Sequence, residues 1–229
     1  MKYLINADFP QNLSAMLGER GTCVRLPFSN SIPLPVGAHP DTLIGKLGGE
    51  LFVSANDAKI IKTLDANGIK YRISHHGTGA GYPLDCALNF FTVGRYLFCR
   101  DDAVSQDVVK YAVSAGYEIV NVKQGYAHCS AAVMGDTVIT ADDGIFDALT
   151  HRGVRALHIS AGSIKLPPFE YGFIGGACGM ADDKTALFFG SLDFHPDGER
   201  IRAFCRDNGI RVVEGNGPLF DYGGFIKID

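Results

Sequence analysis

The apolar and polar positions of this chain fall into one order that recurs five times: a short apolar run, an acidic residue, an amphipathic stretch, a glycine and a second apolar run. The segments are "YLINADFPQNLSAMLGERGTCVRLP", "LFVSANDAKIIKTLDANGIKYRIS", "YLFCRDDAVSQDVVKYAVSAGYEIVNV", "TVITADDGIFDALTHRGVRALHIS" and "ALFFGSLDFHPDGERIRAFCRDNGIRVVE". Each predicts a strand, a short helix and a second strand. Inside the amphipathic stretches the apolar residues keep helical spacing, as in Leu13/Met16/Leu17, Ile60/Ile61/Leu64 and Ile201/Phe204/Cys205. Asp8, Asp57, Asp102, Asp143, and Asp193 or Asp197 stand where helix N-caps belong. A carboxylate there accepts from the free amides of the first turn and meets the positive end of the helix dipole. Gly21, Gly68, Gly116, Gly153 and Gly209 stand at the helix ends, where a left-handed backbone is needed.

The links between these segments carry a second signal. "IGKLGGELFV", "NFFTVGRYLF", "AVMGDTVI" and "GMADDKTALFF" each place a turn dipeptide between two apolar runs, which predicts hairpins. Each repeat is then strand–helix–strand–strand, with its third strand paired to the first strand of the next repeat. "KYLINA" at the start has no strand before it and "LFDYGGFIKID" at the end has none after it. Pairing these two closes the units into a ring and removes the exposed sheet edges of an open array. Five β-α-β units of a doubly wound sheet would share the helical segments, and the hairpins argue against that arrangement.

A five-bladed ring of strand–helix–strand–strand repeats resembles the pentein fold, the α/β-propeller of the guanidine-modifying enzymes. The resemblance covers essentially the whole chain as architecture. It implies one domain over residues 1–229, with helices outside and inner strands around a central channel. The same ring also serves a non-enzymatic ribosome-binding protein, translation initiation factor 6, so the fold leaves function open.

Composition narrows the setting. The chain is 46% hydrophobic and 20% charged with net charge −4, a globular palette without the basic stripe of a nucleic-acid surface. "MKYLINADFP" has too short an apolar run for a signal peptide, and no stretch approaches a membrane span. Six cysteines without a C-x-x-C pair read as free thiols of a cytoplasmic protein. A small molecule in the central channel is the expected partner, with no nucleic acid, membrane, cofactor or metal.

The segments that open each hairpin are expected as strands lining the channel, and they gather chemistry. They are "AHPDTLIG" (His39, Asp41), "YPLDCALN" (Asp85, Cys86), "GYAHCSAA" (His128, Cys129), "YGFIGGACGM" (Cys178) and "PLFDYGGF" (Asp221). Burying so many ionisable groups is costly unless they are paired or used. Singly, each has a plainer reading. The cysteines can be small apolar fillers, and Asp85 and Asp221 can cap turns. Adjacent strand residues point to opposite faces, so His128 and Cys129 are not expected to work as a pair.

Guanidine chemistry asks for a thiolate to attack the guanidinium carbon, a histidine to move a proton to the leaving amine, and carboxylates to clamp the cation. "HPD" resembles the His-x-Asp motif of the guanidine-modifying enzymes, and "HCS" resembles the cysteine strand of agmatine deiminases. In that family one blade separates these two motifs, as it does here, and the acidic partner stands on the blade before His-x-Asp. The resemblance therefore implies Cys129 as nucleophile, His39 as acid/base, and Asp41 and Asp221 as clamps. The family's cysteine lies near the C-terminus, so this chain order is rotated, and its Gly-Gly-(Asp/Glu) signature is absent here. Aligning the hairpins brings Cys86 into register with Asp41, which keeps Cys86, beside Asp85, as a rival nucleophile.

Two further motifs are weaker. The glycine-rich "GFIGGACG" matches neither a phosphate loop nor a dinucleotide fingerprint. "SHHGTGAGYP" is either a solvated loop or a substrate lid over the channel. A hydrolase or transferase on a small guanidino compound and a non-catalytic ring both fit this sequence.

Overall fold

The computed structural model describes residues 1–75, 79 and 81–228. The first unit is β1 (Lys2–Ile5), α1 (Gln11–Gly18) and β2 (Thr22–Arg25). A single turn, α2 (Pro40–Leu43), leads into β3 (Ile44–Leu47), then β4 (Glu50–Ser54), α3 (Ala58–Ala66) and β5 (Arg72–Ser74). The third unit follows as β6 (Phe91–Val93), β7 (Tyr96–Cys99), α4 (Gln106–Ser114) and β8 (Glu118–Asn121). Next come β9 (Ala131–Met134), β10 (Thr137–Thr140), α5 (Asp143–Thr150) and β11 (Arg155–His158). The last are β12 (Cys178–Asp182), β13 (Thr185–Phe188), α6 (Gly198–Asp207), β14 (Arg211–Glu214) and β15 (Ile226–Ile228).

These strands form five three-stranded sheets of one design. In the second, β3 runs antiparallel to β4, and β4 runs parallel to β5 across α3. The first sheet is completed by the other end of the chain: β15 pairs antiparallel with β1, with Lys2 opposite Ile228 and Leu4 opposite Ile226. The hairpin strands touch in series, β3 with β6, β6 with β9, β9 with β12 and β12 with β15, and so surround the axis. This is the five-bladed α/β-propeller expected from the repeats.

Apolar cores lie between neighbouring sheets. One joins Leu4 and Val24 of the first sheet to Leu51 and Val53 of the second, closed by Ile60 and Leu64 of α3. A short amphipathic helix covers only one such wedge, which is why the core is divided.

Local details depart from the expected caps. Asp57 does cap α3, accepting from the Ile60 amide, but α1 starts after Pro10 rather than Asp8. Ser105, not Asp102, caps α4, and Asp142, one residue before Asp143, caps α5. Asp102 instead binds Arg100. Asp197 stands at the N-cap position of α6 without a side-chain cap bond. Gly68, Gly116, Gly153 and Gly209 have positive φ, whereas Gly21 does not. Gly21 is required for space, since a Cβ there would meet the Met1 carbonyl.

The larger correction concerns the chemistry-bearing segments. His39 precedes α2 and Asp41 lies within it, Asp85 and Cys86 occupy a 3-10 turn, and His128 and Cys129 occupy turns before β9. Only Cys178 begins an inner strand. The short polar-rich pieces use helical turns to carry their side chains onto the axis, so strand alternation does not govern which way they face.

Candidate active site

At one end of the axis is a cavity of about 250 Å³. His39, Cys129 and Asp221 line it, with Thr42, Tyr126, Leu166, Phe169, Glu170, Tyr171 and Phe173 among the remaining walls. His39, Cys129 and Asp221 come from three blades, and each is buried.

Asp221 is held by backbone and by glycines. Its Oδ2 accepts from the Phe173 amide at 2.9 Å and its Oδ1 from the Gly223 amide at 2.9 Å. Oδ1 also lies 3.6 Å from His39 Nδ1. A Cβ at Gly176 would overlap this carboxylate, and one at Gly172 would stand 2.6 Å from the Asp221 Cβ. The glycines of "GFIGGACG" thus make room for an acid brought from the far end of the chain. Gly223, with φ of +75°, lies against His39, and its carbonyl accepts from the Asp41 amide at 3.1 Å.

Cys129 is positioned by Asn89, a residue that sequence reasoning did not single out. Asn89 Oδ1 accepts from the His128 amide at 2.7 Å and the Cys129 amide at 3.3 Å. Its Nδ2 donates to the Asp41 carbonyl at 3.0 Å and approaches Cys129 Sγ at 3.0 Å. One side chain therefore ties the His-x-Asp turn to the cysteine turn. The signal available was a lone amide directly before the apolar pair Phe90–Phe91. Leu166, Phe169 and Glu170 were also missed, because connector residues carry no periodicity, and the aromatic side chains of Tyr126, Tyr171 and Phe173 were not singled out within the segments quoted above.

The electrostatics are those of a site with surplus negative charge. Burial, opposed by His39 and reinforced by Asp41, raises the Asp221 carboxyl to about 6. Asp41 is buried and is not part of the cavity lining; one carboxylate oxygen lies near Thr42 Oγ1 at 3.2 Å and the other, Oδ2, has no hydrogen-bond partner among the described residues. Burial, followed by Asp41 and Asp221, pushes the Cys129 thiol well above the ordinary range. Asp41 and Asp221 both act on the Cys129 thiol, and a bound cation would offset their charge.

The other candidates lie apart from this cavity. Asp85 Oδ2 accepts from the Tyr126 hydroxyl at 2.7 Å, so it acts on the wall rather than in the space. The Cys86 thiol donates to Asp85 Oδ1 at 3.4 Å, is buried, and is not part of the lining. Cys178 donates to the Ile174 carbonyl at 3.1 Å within an apolar core. His128 lines a different cavity of about 310 Å³ with Lys46, Met180 and Phe225. Burial lowers its pKa. His76, Gly77, Thr78 and Ala80, in the stretch read as a solvated loop or a lid, lie outside the described residues.

A family model matches residues 4–226. The chain belongs to that family, DUF6873, a family of unknown function. No curated protein sequence matches this member of DUF6873. Solved structures do resemble it. One is a mutant DDAH from Pseudomonas aeruginosa complexed with citrulline, 9% identical, with a TM-score of 0.56 over 94% of this chain and 92% of that one. Another is the inosamine-phosphate amidinotransferase of Streptomyces griseus, 12% identical, with a TM-score of 0.55 over 95% and 78%. A third is SxtG, an amidinotransferase from Microseira wollei, 11% identical, at 0.52 over 91% and 77%. The DUF6873 chain has the pentein fold of these proteins. Among its described residues no helix is long and apolar enough to cross a membrane.

Proposed function

We propose that this protein is a cysteine-dependent enzyme acting on a small guanidino compound, as a hydrolase or an amidinotransferase. The observation that carries the proposal is the meeting of Cys129, His39 and Asp221 around one cavity, with Asp41 acting on the Cys129 thiol from outside the lining. The guanidino part of this reading is supported by the solved structures that share the fold, a DDAH and two amidinotransferases.

In this reading the guanidinium sits against Asp41 and Asp221, which its planar N–H groups satisfy. Its positive charge offsets what the two carboxylates add to the effect of burial on the thiol, and Cys129 passes its proton to His39 as it ionises. Sγ attacks the guanidinium carbon and forms a tetrahedral adduct. His39 gives a proton to one nitrogen, the C–N bond to that nitrogen breaks, and an amine leaves. The amidino group remains on sulfur as a thiouronium. His39 then removes a proton from the second nucleophile, water or an acceptor amine, whose attack breaks the C–S bond and returns the thiolate.

The test is labelling by 2-chloroacetamidine, a cationic amidine that alkylates thiols. Mass spectrometry should find the adduct on Cys129, with protection by guanidinium compounds and with Cys86 unmodified. An adduct distributed over several cysteines, or insensitive to guanidinium compounds, would sink the proposal.

A further inference from the structure

The cavity walls bear on which guanidino compounds could enter. Among the described residues that line it, the acidic side chains are Asp221 and Glu170, and there is no lysine or arginine. Asp221 lies at the buried end, beside His39 and Gly176. Glu170 is exposed and marks the opposite, open end.

The rest of the lining is largely aromatic, with Val36, Thr42 and Leu166 beside the rings. Tyr126 packs on Phe173 with ring centres 6.2 Å apart, and Tyr171 meets Phe173 edge-on at 6.5 Å. Phe169 and Tyr171 flank Glu170 in sequence and are 51% and 39% exposed. Large rings left open to solvent at a cavity mouth present faces with negative quadrupoles, which attract cations and repel anions. Arg100 does not counter this. It packs over Tyr82, which packs on Tyr126, and its guanidinium is held by Asp102.

We infer that the substrate is a dication without a carboxylate: a guanidinium joined by an apolar spacer to a second positive charge. The second charge is met at the mouth by Glu170 with the rings of Phe169 and Tyr171. A carboxylate on the same spacer would meet the carboxylate of Glu170 and aromatic faces with no cation to receive it. Glu170 is thus a specificity-determining residue. The inference rests on the guanidino reading above and adds the nature of the distal group.

The test uses the Cys129→Ser protein, so that no turnover occurs, and calorimetric titration with 4-guanidinobutylamine, butylguanidine and 4-guanidinobutanoate. Affinity should fall in that order, with at least about tenfold between the first and last. Glu170→Lys, at an exposed position, should remove or invert the order while butylguanidine binding changes little. Equal binding of the amine and the carboxylate, or an order unchanged in Glu170→Lys, overturns the inference and leaves the guanidino reading standing. Failure of all three compounds to bind overturns both.

Discussion

Cys129 and Cys86 make an instructive pair. Both thiols are buried, both occupy turns leading to inner strands, and both lie close to an aspartate. Burial followed by neighbouring carboxylates raises the pKa of each. They differ in what covers them. Cys86 is closed off by Gly125, where a Cβ would stand 2.8 Å from its sulfur and 2.6 Å from the Tyr82 ring, and its aspartate is taken by Tyr126. Cys129 opens onto a cavity with His39 and Asp221, and Asp41, outside that lining, also acts on its thiol. The comparison teaches that a raised thiol pKa does not separate the proposed nucleophile from its rival. Access, and a removable cause for the shift, do.

The most direct way to break the comparison is turnover. Cys129→Ala should lower kcat/KM for a guanidino substrate by at least about 10⁴-fold, the scale of losing a covalent nucleophile, whereas Cys86→Ala should retain activity within a few fold. Comparable losses in both variants would erase the distinction. The cause of the raised pKa can be examined next, by comparing alkylation at neutral pH. If carboxylates add to burial in holding the Cys129 thiol neutral, cationic 2-chloroacetamidine should outpace neutral 2-chloroacetamide, which has the same leaving group, by about 10- to 1000-fold at Cys129, and at Cys86 not at all. Equal rates for the two reagents at Cys129 would count against the cation-clamp account.

A smaller effect sharpens how Cys129 is held. Asn89→Ala leaves the His128 and Cys129 amides without their acceptor and should destabilise the fold by about 1–3 kcal/mol in urea denaturation. Alkylation of Cys129 should slow in parallel, and an unchanged rate would remove Asn89 from the site. The smallest effect is in pH. With its folded value raised from 3.8 to about 6, neutral Asp221 favours the folded state below 3.8, and that contribution is lost as pH rises through about 6. A bound guanidinium prefers the ionised carboxylate, so the rise in Tm that it produces should grow across the same interval. An identical rise at pH 5 and pH 7.5 would separate Asp221 from cation binding.

Much of this was legible in one dimension. Helical spacing at Ile60/Leu64 and Ile201/Cys205, turn glycines such as Gly68 and Gly135, and the unpaired apolar ends of the chain specify five units and their closure. Each is local, or follows from counting strands, and period and turn chemistry carry it. The side-chain types for guanidine chemistry were visible as well. What could not be read was the conformation of the segments that carry them: expected as strands, they are mostly turns, too short to show any period.

The sequence by itself therefore determined the ring, because the first and last strands lack partners in adjoining repeats and complete one sheet by pairing with each other. Tertiary structure alone decided which thiol meets which histidine. That choice depends on contacts between residues far apart in the chain: Asn89 spanning Asp41 and Cys129, Gly176 yielding space to Asp221, and Gly125 closing over Cys86. Each is a matter of volume and hydrogen bonding across blades, and such contacts leave no mark on the spacing of residues within a blade.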